Sequence, residues 1–216
     1  MCPYCKSSCI RYGKSSTGKE RFRYQTCKRT HSKEYFYPAC KHHINNQITQ
    51  FIKEGCGIRS ISRLLKIGVS TVLRRILTIS KEISKPPILF GKEYEIDELC
   101  TYIRNKKRKR WIVYAIRKDT GEVTDFTVGS RTNNTLKRVT DTIILSNASK
   151  ICTDKLPNYR SLLPSSIHNT KRYQTNRIER KNLNLRTHLK RLNRRTICYS
   201  KSITMLTACL KIYFWT

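Results

Sequence analysis

Acidic residues are scarce in this 216-residue chain: 14 Asp and Glu face 45 Lys and Arg, for a formal net charge of +31 at pH 7. Charge so unbalanced repels itself in any compact body, so a polyanionic partner is expected to neutralise it. Long apolar runs are missing as well. A membrane span needs about 20 consecutive apolar residues, whereas the most apolar stretch, Ile203 to Trp215, is interrupted by Thr204, Thr207 and Lys211 and reads as a core helix. No signal-peptide pattern stands at Met1-Cys2-Pro3. These absences point away from a membrane and towards a cytoplasmic protein. DNA, with one phosphate per roughly 1.7 Å of helix axis, is the polyanion whose counterion release drives binding to such a surface. The 10 cysteines are not expected to form disulfides, because in a reducing compartment scattered thiols pack and clustered thiols bind metal. Internal repeats and low-complexity segments are lacking too. What is present has room for one ordinary core and a small accessory module.

Three blocks divide the chain: residues 1–40, rich in Cys, Lys, Arg and Tyr; residues 41–85, with helical periodicity from Ile44 to about Ile83; and residues 90–216, a mixed α/β unit. Pro86-Pro87 separates the last two, since proline disfavours helix in itself and in the residue before it. In the third block, Tyr94 to Ile103 and Arg110 to Arg117 read as strands, and the apolar run Trp111 to Ile116 suits a strand covered on both faces. Asp119-Thr120-Gly121 signals a turn into a further strand, Val123 to Val128. Leu136, Val139, Ile143 and Ile144 fit one helical stripe; Lys150 to Thr153 and Ser166 to Thr170 read as short strands, with Pro157 interrupting the chain between them. A helix from Asn176 to about Asn193 buries Ile178, Leu185, Leu189 and Leu192. The sum is a sheet flanked by helices.

Cys2-Pro3-Tyr4-Cys5 has the spacing that lets two thiolates grip one tetrahedral zinc. Cys27 lies beyond a hairpin for which Gly13 and Gly18 supply turns, and Cys9 and His31 are the candidates for a fourth ligand. The alternative is a degenerate ribbon that no longer binds metal, or plain buried thiols. Downstream, Ile58 to Leu65 is amphipathic, Ile67-Gly68-Val69 is a compact turn, and Ser70 or Thr71 can cap a second helix from Val72 to Leu77. Such a helix-turn-helix would set Arg74 and Arg75 against DNA; an ordinary helical hairpin is the bland alternative. The run Arg104 to Arg110 reads as a basic hairpin tip, with Lys106, Lys107 and Arg108 against phosphate, and Trp111 after it reads as core.

The carboxylates are the sharpest signal. From Thr142 to Thr216 fifteen Lys and Arg accompany two acids, Asp154 and Glu179. Asp154 follows a strand, Glu179 sits on the next helix, and Asp97 lies inside the first strand between Ile96 and Leu99, where propensity favours an apolar residue. Three converging carboxylates repel one another unless cations lie between them. Hard oxygen donors suit Mg²⁺ or Mn²⁺, and two such ions about 3.5–4 Å apart stabilise the entering and leaving oxygens of phosphoryl displacement. Taken singly each acid could be a salt bridge; their order and setting favour catalysis. Arg186, seven residues after Glu179, is expected on the same helical face about 10 Å away, where a cation could hold phosphate.

The run Lys171-Arg172-Tyr173, Asn176-Arg177-Ile178-Glu179-Arg180 and Asn182-Leu183-Asn184-Leu185-Arg186 with Leu189 closely resembles the C-terminal signature of the insertion sequence 1 family of bacterial transposases. Glu95-Ile96-Asp97-Glu98, Arg110-Trp111, Gly129-Ser130-Arg131-Thr132, Thr153-Asp154 and Tyr199-Ser200-Lys201-Ser202 resemble its other motifs. The resemblance implies an RNase H-like core with an Asp-Asp-Glu triad at Asp97, Asp154 and Glu179 and a basic residue at Arg186. It also implies a zinc finger and a helix-turn-helix that recognise terminal inverted repeats. It departs where Gln25-Thr26-Cys27 supplies one cysteine in place of a pair, and where Lys155-Leu156-Pro157 follow the second Asp. The expectation is a Mg²⁺- or Mn²⁺-dependent transposase of the bacterial nucleoid that cuts the ends of an element and joins them to target DNA. Pairing two ends makes a homo-oligomer plausible. The alternative is a non-catalytic, sequence-specific DNA-binding protein, either a regulator or a decayed transposase; a plain RNase H-like nuclease would cut without strand transfer.

Overall fold

A computed structural model describes residues 2, 5–16, 18–32, 37–41 and 43–216, in two compact units, residues 1–44 and 45–216. The first contains an antiparallel sheet of β1 (Cys9–Lys14), β2 (Glu20–Tyr24) and β3 (Thr30–Ser32). Gly13 (φ +66°) and Gly18 (φ +79°) take the left-handed conformation that the β1–β2 bulge and turn require. β1 is exposed throughout; Cys2 and Tyr24 are buried. Pro3 and Tyr4 of the cysteine knuckle lie outside the described residues.

The second unit opens with α1 (Ile44–Lys53), α2 (Ile58–Leu65) and α3 (Val69–Glu82). Ile48, Ile52, Ile61, Leu65, Val72 and Ile76 are buried at helical spacing. Lys66 closes α2 in the left-handed conformation and Gly68 is the N-cap of α3. The expected caps Ser70 and Thr71 instead lie inside α3, because the chain re-enters helix directly after the glycine. Gly55 (φ +73°) sits so close to the C-terminal half that a Cβ there would meet the His188 carbonyl oxygen at 1.9 Å.

A five-stranded mixed sheet forms the rest, built from β4 (Glu93–Ile103), β5 (Asn105–Arg117), β6 (Val123–Gly129), β7 (Lys150–Thr153) and β8 (His168–Asn169). Its order is β6-β5-β4-β7-β8, antiparallel among the first three and parallel from β4 through β7 to β8. α4 (Asn133–Ile144) and α5 (Pro157–Leu162) cover one face. α6 (Asn176–His188) and α7 (Ile203–Trp215) cover the other. Alternation along β5 divides the core: Ile112, Tyr114 and Ile116 join Ile178, Leu185, Leu206 and Leu210, while Val113 and Ala115 join Leu136, Val139, Ile143 and Tyr159. Pro157 does not merely interrupt the chain; it occupies the first turn of α5, where its missing N–H costs nothing. The Lys211 ammonium of α7 donates to the carbonyls of Ser80 and Ile83 (3.2 and 3.3 Å), a cation on the last carbonyls of α3 that ties the helical segment to the sheet domain.

The expected basic hairpin tip is not a tip. The chain reverses at Arg104 alone (φ +66°), and Asn105 to Arg110 already belong to β5, exposed beyond the end of the core. Trp111, expected in the core, is half-buried, with the guanidinium of Arg131 4.5 Å above its ring.

Candidate active site and nucleic-acid interface

The last residue pair between β4 and β7 is Ile96 with Thr153, so the next residues, Asp97 and Asp154, emerge side by side where β7 ends. The carboxylate oxygens of Asp97, Glu98 and Asp154 lie within 4.8 Å of one another. Asp97 Oδ1 accepts the Glu98 N–H (2.7 Å) and Oδ2 accepts the Asn182 amide (2.6 Å). Asp154 Oδ1 accepts the Leu156 N–H at 3.0 Å, which bends the chain away from the strand. Burial above all, then the charges of Glu98 and Asp154, push the Asp97 carboxyl up to about 7; its two hydrogen bonds offset only part of this.

Glu98 points to the opposite face of β4, where it is buried. It accepts the Arg131 guanidinium (2.9 Å) and the Tyr159 hydroxyl. Glu95, also buried, accepts the Ile178 N–H (2.9 Å). That carboxylate takes the place of the side-chain cap that Thr175 does not provide, and so anchors the start of α6. Asn182, one turn further on, bridges the sheet: its amide oxygen accepts from the buried Tyr114 hydroxyl (2.8 Å) while its NH₂ reaches Asp97.

The structure therefore brings two of the three expected acids together. Glu179 is not in the cluster; it is exposed and accepts the Thr175 hydroxyl at 3.0 Å, in an open recess with Arg177, Arg180 and Leu183. The Glu95–Ile178 hydrogen bond sets the rotation of α6 so that a neutral amide, Asn182, faces Asp97 and Glu179, three residues earlier, turns outward. Arg186 is also placed otherwise than expected. Its guanidinium donates to the carbonyls of Leu192 (3.0 Å) and Cys100 (3.4 Å), clamping the end of α6 to β4. Burial and the neighbouring Arg194 charge lower its pKa.

Reading the sequence missed Glu98, Asn182, Tyr114, Arg131 and Tyr159. Glu98 and Asn182 stand within quoted motifs, but a motif does not say that one carboxylate lies behind the strand or that an amide stands in for an acid.

In the first unit the sulfurs of Cys2, Cys5 and Cys27 lie within 4.8 Å of one another, Cys2 and Cys27 at 3.7 Å. The Ser7 hydroxyl and N–H hold the half-buried Cys5 thiol down to about 6. Among the described residues no fourth ligand joins them: His31 stacks on Tyr24 (4.7 Å, 8°) and Cys9 is exposed on β1. Of the expected DNA contacts, Arg74 is exposed on α3, Arg75 is half-buried, and Lys106, Lys107 and Arg108 are exposed on β5. No helix is long and apolar enough to cross a membrane among the described residues.

A family model described as IS1 transposase matches residues 93–214, and one described as the InsA C-terminal domain matches residues 35–79. The chain is 38% identical over 109 residues to the insertion element iso-IS1n protein InsB of Shigella dysenteriae, covering 50% of this chain and 83% of that protein. It is 38% identical over 111 residues to the IS1 protein InsB of Shigella flexneri, covering 51% and 85%. Among solved structures, a chain of the simian T-cell lymphotropic virus intasome in complex with the PP2A regulatory subunit B56 gamma matches with 18% identity and a TM-score of 0.39, covering 76% of this chain and 66% of that one. That likeness is too slight to bear on the fold.

Proposed function

This chain belongs to the IS1 transposase family, and we propose that it cuts the ends of an insertion sequence and joins them to target DNA with an RNase H-like core whose catalytic acids are Asp97, Asp154 and Glu179. The single observation that carries this reading is the closeness of Asp97 and Asp154 just past the last β4–β7 residue pair, at the carboxyl end of β7 where ligands of open α/β sheets collect. The donor set fits a divalent cation. Hard carboxylate oxygens crowd within 4.8 Å, and Asp97 resists ionising until positive charge arrives. Asp97 and Asp154 would hold Mg²⁺ or Mn²⁺. When bound, such ions stabilise the attacking and leaving oxygens of a phosphodiester displacement.

The remaining work belongs to the chain itself. Glu95 and Asn182 fix α6 against β4, so Glu179 stands one helical turn, about 5 Å of axis, from the amide that touches Asp97. Glu179 is exposed and held by the Thr175 hydroxyl, and in this reading its carboxylate turns towards Asp97 when a cation is bound. Glu98, neutralised by Arg131, holds the back of the strand. Arg186 serves as a positioning residue as well as a local positive charge. Residues 1–40 act as a ribbon-like module in which Cys2, Cys5 and Cys27 hold zinc with one further ligand; residues 41–85 read the terminal inverted repeats through Arg74 and its neighbours on α3; residues 90–216 carry the chemistry. A homo-oligomer pairs two ends on double-stranded DNA.

The second reading, a DNA-binding protein without catalysis, draws on the position of Glu179 outside the cluster. Purified protein, Mg²⁺ and a duplex bearing the inverted repeats that flank its own gene separate the two. Cleavage and strand transfer that vanish in Asp97→Asn, Asp154→Asn and Glu179→Gln support the transposase. Full activity in any of these variants sinks that assignment, and repeat binding indifferent to Mg²⁺ without cleavage supports the second reading.

A further inference from the structure

We propose that the notch between the β4–β5 turn and the loop of residues 193–199 seats target duplex DNA, with Ile197 as an apolar wedge entering a base step. The proposal rests on the transposase reading above and adds where the target lies and which side chain deforms it. The notch has a volume of about 740 Å³ and is lined by Arg104, Asn105, Lys106, Arg195, Ile197 and Tyr199, with no acid among its lining residues.

Three features suit DNA. The first is charge: Arg104, Lys106 and Arg195 are all exposed, and Arg104 is braced by its guanidinium on the Lys201 carbonyl (3.1 Å) and its N–H on the Ser200 carbonyl (2.9 Å). Fixed cations of this kind neutralise phosphates and release counterions. The second is Ile197, 93% exposed. One exposed aliphatic residue is ordinary on a protein surface, but this one is projected by a shaped turn: the Arg195 N–H donates to Asn193 Oδ1 and the Cys198 N–H to Thr196 Oγ1, both at 3.0 Å. The loop is then fastened to β4 by Ser200, which bridges to Ile103, and by the Tyr102–Tyr199 ring contact. A braced apolar side chain ringed by cations is the equipment with which proteins unstack a base step and bend the duplex. The third is Tyr199, which lines the notch and whose buried hydroxyl has no hydrogen-bond partner. A buried polar group left over at a binding surface calls for an acceptor or donor from outside.

Position argues for target DNA over element ends. Arg104 lies seven residues along β4 from Asp97, about 23 Å at roughly 3.3 Å per residue. That is about seven base pairs of duplex from the proposed reaction centre. The side chains of the notch read charge and deformability, which suits DNA of varied sequence, whereas repeat recognition falls to α3.

The test uses the full chain with a 30-bp duplex that lacks the inverted repeats and carries 2-aminopurine at successive positions. Wild type is expected to raise the fluorescence severalfold at one step; Ile197→Ser abolishes the rise, Ile197→Phe restores it, and both variants bind a repeat-bearing duplex within twofold of wild type. Lys106→Ala and Arg195→Ala each make the slope of log affinity against log salt shallower by about one. An undiminished rise in Ile197→Ser, or unchanged slopes, overturns the seat. The two readings fail separately: cleavage of repeat ends without any unstacking of bare duplex removes the seat alone, whereas unstacking without cleavage removes the catalytic assignment and leaves the seat.

Discussion

Cys2, Cys5 and Cys27 gather in the small first unit, whereas Asp97, Glu98 and Asp154 gather at the end of a covered sheet; both are groups of three side chains that could hold a metal, and the shifts of Cys5 and Asp97 run in opposite directions. Ser7 holds the Cys5 thiol down to about 6, so it is a thiolate at neutral pH without help. Burial and like charge push Asp97 up to about 7, so near neutral pH it is only partly ionised, and a cation beside it completes the ionisation. Donors ready one thiol, Cys5, before a ligand arrives, while the Cys27 thiol stays above its ordinary value. A site made by crowding is completed by its ligand, and Glu179, one turn away on α6, is the part still missing.

Four measurements probe the difference between the two sites. The largest effect belongs to Asp97→Asn, expected to lower cleavage by about 10³-fold or more, the scale of removing one electrostatic group from a transition state. The same change is expected to raise the melting temperature of the metal-free protein at pH 8, because the amide carries no buried charge. Loss of both activity and stability would show that the acid is structural. Next is Arg131→Ala, which leaves Glu98 buried without its cation; the pair is half open on the Arg131 side, so about 2–3 kcal/mol is expected by chemical denaturation, below the range for fully buried pairs. Third is pH. Because the Asp97 pKa is raised on folding, its contribution to stability is present below about pH 4 and is lost as pH rises through about 7. Melting curves in EDTA should fall across that window, and saturating Mg²⁺ should flatten the fall; identical curves with and without Mg²⁺ would deny the site its cation. Smallest is Ser7→Ala. The midpoint for alkylation of Cys5 by iodoacetamide in metal-free protein is expected near pH 6 in wild type and displaced towards 9.0 in the variant, with cleavage by residues 90–216 unaffected.

Much of the scaffold was legible from residue order. The continuous run Trp111 to Ile116 gave a central strand because each face needed cover, and the helical spacing of Ile178 and Leu185 gave α6, which ends at His188 and not near Asn193 because Leu189 takes an extended conformation. Boundaries were less so: Arg104 to Arg110 looked like a turn by charge, yet strands continue wherever backbone pairing does, whatever the side chains carry. The site divided in the same manner. Asp97 and Asp154 were readable as acids in a chain depleted of acid, at the places where strands meet or end.

Residue order alone yields the periodic and compositional part: the helices, the central strands, the basic surface, and acids that stand out in an acid-poor chain. The parallel pairing of β4 with β7 that sets Asp97 beside Asp154, and the groups that face them, come from the tertiary fold. Glu98 behind the strand, Asn182 beside Asp97 and the outward Glu179 depend on burial and on the rotation of α6 about its axis. Those are set by contacts between residues more than 80 positions apart, such as Glu95 with Ile178 and Asp97 with Asn182, and no local pattern encodes them.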